Sequence, residues 1–84
     1  MAIDVEHPPV GAKLELYISP SCPYCLQALA YYDKHAIAYT KYDAQNERHA
    51  RDAMLALTRG DPTVPAIVID GAHVQSGWGH PPRG

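Results

Sequence analysis

The chain has few cysteines: Cys22 and Cys25, three positions apart, are the only two. A small secreted scaffold needs more of them, spread out so that they close large loops. A bridge across so short a segment constrains little, because stabilisation grows with the loop that is closed. The pair is therefore there for chemistry or for a metal. Basic runs are also missing. Seven Lys and Arg are interspersed with nine Asp and Glu, for a net charge of -2, which argues against a nucleic-acid partner, normally met by a basic stripe. The longest apolar stretches, such as Val64 to Ile69, fall far short of the roughly 20 residues that cross a bilayer. Met1 to His7 carries two acids and no apolar run, so no secretory signal is read there and the cytosol is the expected compartment. Phenylalanine is absent against six Tyr and one Trp, so almost every large ring brings a hydroxyl that needs a partner or water.

What remains is ordinary globular composition, 46% apolar and 19% charged over 84 residues. That length suits a single small domain whose core is near the minimum that holds. Residues 1–12, with Pro8, Pro9 and Gly11, read as an irregular, loosely packed arm ahead of a domain over 13–84. Leu14 to Ile18 is short, apolar and β-prone, a first strand that Ser19-Pro20-Ser21 breaks. Pro23 suits an early helical position, so a helix starts near Cys22; its inward stripe is Cys25, Ala28, Leu29 and Tyr32, and it ends near His35. Ala38 to Asp43 alternates as a second strand. A second helix follows, capped by Asn46, buried through Ala50, Met54 and Leu57, and stopped at Gly60. Ala66 to Ile69 is a third strand, Asp70-Gly71 a tight turn, and Ala72 to Gln75 a fourth; the glycines and prolines from Gly77 to Gly84 end regular structure. The order β-α-β-α-β-β predicts an α/β domain with a mixed four-stranded sheet.

A cysteine at a helix start faces unpaired amides and the positive end of the helix dipole, which favour the thiolate. Cys22 is the expected nucleophile. Cys25, one turn inside on the inward stripe, is the expected resolving thiol for a mixed disulfide at Cys22. Pro23 stiffens the turn. Tyr24 points toward the rim, where it meets a partner or small thiol, or is simply a half-buried surface aromatic. The competing reading is structural zinc, with two further ligands recruited from His7, His35, His49, His73 and His80. Only His73 and His80 pair, and their six-residue gap exceeds the usual spacing. The histidines read as surface residues, although His80 in the tail is within reach of an active site.

At Cys22-Pro23-Tyr24-Cys25, and from about Leu14 to Val74, the chain resembles the glutaredoxins; Thr63-Val64-Pro65 matches their Thr-Val-Pro segment. The resemblance implies a minimal thioredoxin/glutaredoxin-like fold and a dithiol oxidoreductase acting on disulfide-containing proteins, with no metal or organic cofactor. It also implies that Pro65 is cis and faces Cys22, and that the Val64 backbone pairs with a bound substrate. Thr63, Val64, Pro65, Tyr24, Gln75 and Ser76 are then the substrate- or glutathione-binding residues. Two glutathione anchors of that family are replaced. Ser19 stands where a Lys is typical, and Gln75-Ser76-Gly77-Trp78-Gly79 stands where two glycines and two Asp are typical. Losing a charge-assisted bond weakens binding by about 1.5 to 3 kcal/mol, so glutathione is expected to bind poorly.

Ser76-Gly77-Trp78-Gly79-His80-Pro81 is instead similar to the tail of the NrdH-redoxins, as Ala50-Arg51-Asp52 and Ala56-Leu57 are to their second helix. That likeness implies reduction by thioredoxin reductase and electron donation to ribonucleotide reductase. Further alternatives are a [2Fe-2S] cluster bridging two subunits through Cys22 with glutathione, which the proline after Cys22 disfavours, and a binding module with an inert disulfide.

Both families usually end in a further helix over the face that carries the first one, and that helix is missing here. The arm, another subunit, or a water-tolerant face must serve instead; six Tyr favour the last in part, with Tyr31 and Tyr32 half-wet. An apolar patch of Leu29, Ile37 and Trp78 would imply weak self-association. Ala36 occupies a helix-end position where glycine is common in this family, so remodelling of that left-handed turn is expected.

Overall fold

The computed structural model describes residues 4–84. Six elements follow in chain order: β1 (Leu14–Ile18), α1 (Pro23–Lys34), β2 (Thr40–Asp43), α2 (Arg48–Thr58), β3 (Ala66–Ile69) and β4 (Ala72–Ser76). The sheet order is β2-β1-β3-β4. β1 runs parallel to β2, with Tyr17 opposite Tyr42, and antiparallel to β3, which pairs antiparallel with β4. This is the mixed four-stranded α/β sheet that the sequence predicts.

The period-two alternation of strands sorts the core onto two faces. Leu14, Leu16, Ile18, Ile67 and Ile69 pack with Cys25, Leu29 and Tyr32 of α1. Tyr17, Ala66 and Val68 point the other way, onto Ala50 and Met54 of α2. β3 is buried along its whole length, as its unbroken apolar run requires. Asp70 and Gly71 form the β3–β4 turn with φ of 52° and 81°, the left-handed pair that a two-residue hairpin demands.

Several local expectations are corrected. β2 begins at Thr40, not Ala38, because residues 35–38 complete the exit from α1. There the amides of His35, Ala36 and Ile37 donate to Tyr31, Asp33 and Tyr32 carbonyls. Ala36 keeps its left-handed turn, with φ 55°, so the expected remodelling does not occur. An Ala in this region costs about 1–2 kcal/mol, partly offset by its lower unfolded-state entropy. Ala36→Gly is therefore expected to stabilise by about 0.5 kcal/mol and raise Tm by roughly 2–4 °C in a thermal melt.

Asn46 does not cap α2. The N-cap is Glu47, without a side-chain cap bond. Asn46 instead donates to the Asp43 carboxylate through both its amide and its side chain, and these bonds, the side chain's first, hold the Asp43 carboxyl below the usual range. The stop of α2 lies at Arg59, left-handed at φ 58°, followed by Gly60 at 90°. β4 runs one residue further than expected, to Ser76.

The side of the sheet that carries α1 is also covered by residues before β1 and after β4. Val5 is buried in the first core cluster together with Leu14 and Tyr32. Tyr31 Oη donates to the Glu6 carbonyl (2.7 Å) and Tyr32 Oη to the Val5 carbonyl (2.6 Å). Trp78 stacks edge-on to Tyr32 and tilted against Tyr31, with centroids 5.5 and 5.4 Å apart. The arm is thus docked at Val5 and Glu6, while His7, Pro9, Val10 and Gly11 are exposed and Met1–Ile3 lie outside the described residues. Tyr32 is fully buried, not half-wet; its hydroxyl is used to hold the arm. Leu29, Ile37 and Trp78 join the same cluster instead of forming an open apolar patch.

Candidate active site

Cys22 sits between β1 and α1 with extended backbone (φ -86°, ψ 120°) as the N-cap of α1, followed by Pro23 in the first turn. Its own amide donates to the Ser19 carbonyl (3.1 Å), closing the turn that lifts the chain off the strand. Cys22 is partly exposed and Cys25 buried, both as free thiols. Burial, first of all, pushes the Cys25 thiol up to about 12, with the adjacent Cys22 acting in the same direction. The Ser19 amide donates to Cys25 Sγ (3.4 Å) and opposes that rise without reversing it. One sulfur is accessible and the other is a protected thiol.

Opposite Cys22 lies the loop between α2 and β3. The Val64–Pro65 bond is cis, and Cys22 Sγ lies 3.9 Å from the Val64 carbonyl oxygen. Pro65 is fully buried, and its carbonyl accepts from the Gly77 amide (2.8 Å). Asp61 holds the loop: its carboxylate accepts from the Thr63 amide (2.9 Å), its carbonyl accepts from Thr58 Oγ1 (2.8 Å), and the hydrogen bonds from Thr63 keep its carboxyl below the usual range. Tyr24 is half-buried in the first turn of α1.

The fold thus brings Cys22, Cys25, Val64 and Pro65 together. Gln75 and Ser76 are engaged elsewhere: Gln75 Nε2 donates to the Gly77 carbonyl (3.1 Å), and Ser76 Oγ is hydrogen-bonded to His73 Nε2 (2.9 Å). His80 does not approach Cys22 but pairs with Glu6 of the arm. Among the described residues no three His, Cys, Asp or Glu side chains converge as a metal site.

Two contributors were missed by sequence reasoning. Gln45 Oε1 accepts hydrogen bonds from Ser19 Oγ and from Ser21 Oγ (3.0 Å for the latter). Arg51 donates to the Ala44 and Gln45 carbonyls (3.1 and 2.9 Å). With Ser19, Met54, Pro62 and Val64 they line a cavity of about 350 Å³ beside the cysteine turn. The available signal was topological: a parallel β1–β2 pair sets both C-terminal ends side by side, so whatever follows β2 neighbours the turn after β1.

The burial difference gives a direct expectation. At pH 8 iodoacetamide should label Cys22 of the folded, reduced protein, while Cys25 labels at least about a hundredfold more slowly because almost none of it is thiolate. Peptide mapping by mass spectrometry reads both sites.

A Cys-x-x-Cys at a helix N-terminus, beside a cis-proline loop on a mixed sheet with helices on both faces, defines a dithiol protein of thioredoxin-like architecture. The family model described as glutaredoxin matches residues 14–74. A probable glutaredoxin of Synechocystis sp. is 35% identical over 65 residues, covering 77% of this chain and 74% of that protein. Glutaredoxin 1 of Rickettsia typhi is 37% identical over 60 residues, covering 70% and 58%. Among solved structures, the buckwheat glutaredoxin-glutathione complex superposes with a TM-score of 0.65 at 24% identity, covering 77% of this chain and 61% of that one. Glutaredoxin 1 from Francisella tularensis, complexed with cacodylate, superposes at 0.59 with 25% identity, covering 79% and 84%. The chain belongs to the glutaredoxin family, a family of thiol-disulfide oxidoreductases, although it spans under two thirds of the Rickettsia and buckwheat proteins.

Proposed function

We propose that the protein is a dithiol oxidoreductase that reduces protein disulfides or glutathione mixed disulfides in the cytoplasm through Cys22 and Cys25. The observation that carries this reading is the asymmetry of the pair, an accessible Cys22 at a helix N-cap against a buried Cys25 held as the thiol. The Cys22 thiolate attacks one sulfur of the substrate disulfide; that S–S bond breaks, and the departing sulfur leaves as a thiolate. Cys25 then attacks the Cys22 sulfur, its proton going to the second departing thiol, and the intramolecular disulfide forms as the substrate takes up two electrons. Two molecules of glutathione, oxidised to their disulfide, return the pair to the dithiol.

Glutathione as reductant is supported by the family and by a cavity that offers one cation. Arg51 stands near Ser19, where the family's usual Lys is replaced, and is suited to a carboxylate. The NrdH-like reading, with reduction by thioredoxin reductase, is favoured by a separate observation. Gln75 and Ser76 are already hydrogen-bonded within the chain, and Trp78 is packed on Tyr31 and Tyr32 rather than left open to a γ-glutamyl group. NADPH consumption with a disulfide substrate tests both, run with glutathione plus glutathione reductase and in parallel with thioredoxin reductase alone. Turnover with the first supports the glutathione-linked reading, turnover only with the second replaces it by the NrdH-like one, and silence in both overturns the dithiol reading.

A further inference from the structure

After β4 the chain makes a closed reversal. Trp78 and Arg83 exchange two backbone hydrogen bonds, the Trp78 amide to the Arg83 carbonyl (2.8 Å) and the Arg83 amide to the Trp78 carbonyl (3.0 Å). The reversal lies flat on Gly77, where a Cβ would stand 2.8 Å from the Arg83 nitrogen. Its other side is held by Trp78 on the two tyrosines and by the His80–Glu6 pair. The next residue, Gly84, is thereby set down on the loop that flanks the nucleophile. A Cβ at Gly84 would overlap the Val64 carbonyl oxygen and lie 2.6 Å from Thr63 Cγ2 and 3.0 Å from the Val64 carbonyl carbon.

That carbonyl is the group 3.9 Å from Cys22 Sγ, and among the described residues the Val64 amide donates to nothing. Val64 therefore presents half of an open strand edge beside the reactive sulfur, and Gly84 covers the other half. A backbone binding there as an added strand needs both groups. While Gly84 is seated, an incoming amide has no room at the oxygen.

We propose that the Trp78–Gly84 turn is an internal occupant of the substrate edge at Val64 and thereby sets substrate choice, acting against disulfides of glutathione size. The proposal rests on the dithiol reading above. A tripeptide has only a few contacts with which to displace the turn, whereas a protein disulfide brings a surface whose contacts extend beyond it. The turn thus discriminates by the size of the binding partner, without touching the sulfur chemistry.

Gly84→Val tests this directly, since its side chain has no space while residue 84 rests on Val64 but is free once the end of the turn lifts. Arg83→Pro is the second variant, removing the amide that donates to Trp78. Binding is read by NMR titration with S-methylglutathione, which cannot exchange, following the Val64 amide, and turnover is read with a glutathionylated peptide and with a protein disulfide. Both variants are expected to bind S-methylglutathione about tenfold more tightly, corresponding to about 1.4 kcal/mol. The kcat/KM for the glutathionylated peptide should rise by a similar factor through KM, and that for the protein disulfide should change less than about twofold. Unchanged or weaker S-methylglutathione binding in both variants overturns the proposal, as does an equal gain on both substrates. A tighter-binding variant whose parent turns over neither substrate would overturn the dithiol reading while leaving the turn as an occupant of Val64.

Discussion

Cys22→Ser is expected to remove disulfide turnover, by at least about a thousandfold, because the serine hydroxyl stays protonated and is a far weaker nucleophile toward sulfur. The geometry leaves no substitute. Cys25 is fully buried, and burial pushes its thiol up to about 12, so it stays protonated at pH 8. Cys25→Ser has a different expected result. The first attack by Cys22 proceeds, and the mixed disulfide then waits for an external thiol. A protein disulfide should be trapped as a covalent adduct visible by mass spectrometry, while a glutathionylated substrate should keep turning over at high glutathione. Turnover of Cys22→Ser at more than a few per cent of the parent rate would remove Cys22 from the nucleophile role. Complete loss of glutathione-linked turnover in Cys25→Ser would make the route strictly dithiol.

The reading from sequence succeeded where local chemistry and local structure coincide. Pro23 after Cys22 marks a helix start whether or not anything packs on it, and Ala66 to Ile69 can only be a buried strand once Pro65 precedes and Asp70-Gly71 follows. It failed where a competing bond, from a near neighbour or from a distant segment, decides the local structure. Asn46 has the side chain of a cap, but Asp43 two positions before Gln45 competes for it and wins. Ala36 was expected to avoid a left-handed turn, yet the bonds from residues 35–37 back to α1 over-determine it. Arg51 reads as part of a solvated helix face; only the pairing of β1 with β2 reveals that the start of α2 adjoins the cysteine turn. The seat of Gly84 on Val64 depends on a reversal with no regular periodicity, so nothing in the tail's composition beyond its glycines and prolines points to it.

Removing the Tyr32 ring should have the largest effect on stability. Tyr32 is fully buried, meets Tyr31, Tyr39 and Trp78, and donates to the Val5 carbonyl at 2.6 Å. Tyr32→Ala is expected to cost about 3–5 kcal/mol, against a total of roughly 4–13 kcal/mol for a domain of this size. A large fraction of the variant should be unfolded at 37 °C. Tyr32→Phe separates packing from the arm. The ring stays, the Val5 carbonyl loses its buried donor at a cost of about 1–3 kcal/mol, and Tm should fall by roughly 4–8 °C per kcal/mol. Amide exchange in residues 5–7 should rise more than in the strands. Tyr31→Phe, at a half-buried hydroxyl that water can replace, should cost at most about 1 kcal/mol. The same hydroxyl predicts an alkaline limit. Burial, and then the neighbouring Tyr31, hold the Tyr32 phenol above its ordinary value near 10, so the unfolded chain ionises first. Its contribution is complete below pH 10 and declines as pH rises beyond it, so stability should fall more steeply above pH 10 in the parent than in Tyr32→Phe, which keeps the other raised phenols. Equal melting of Tyr32→Phe and parent at neutral pH would mean that the bond to the Val5 carbonyl does not hold the arm as cover for α1.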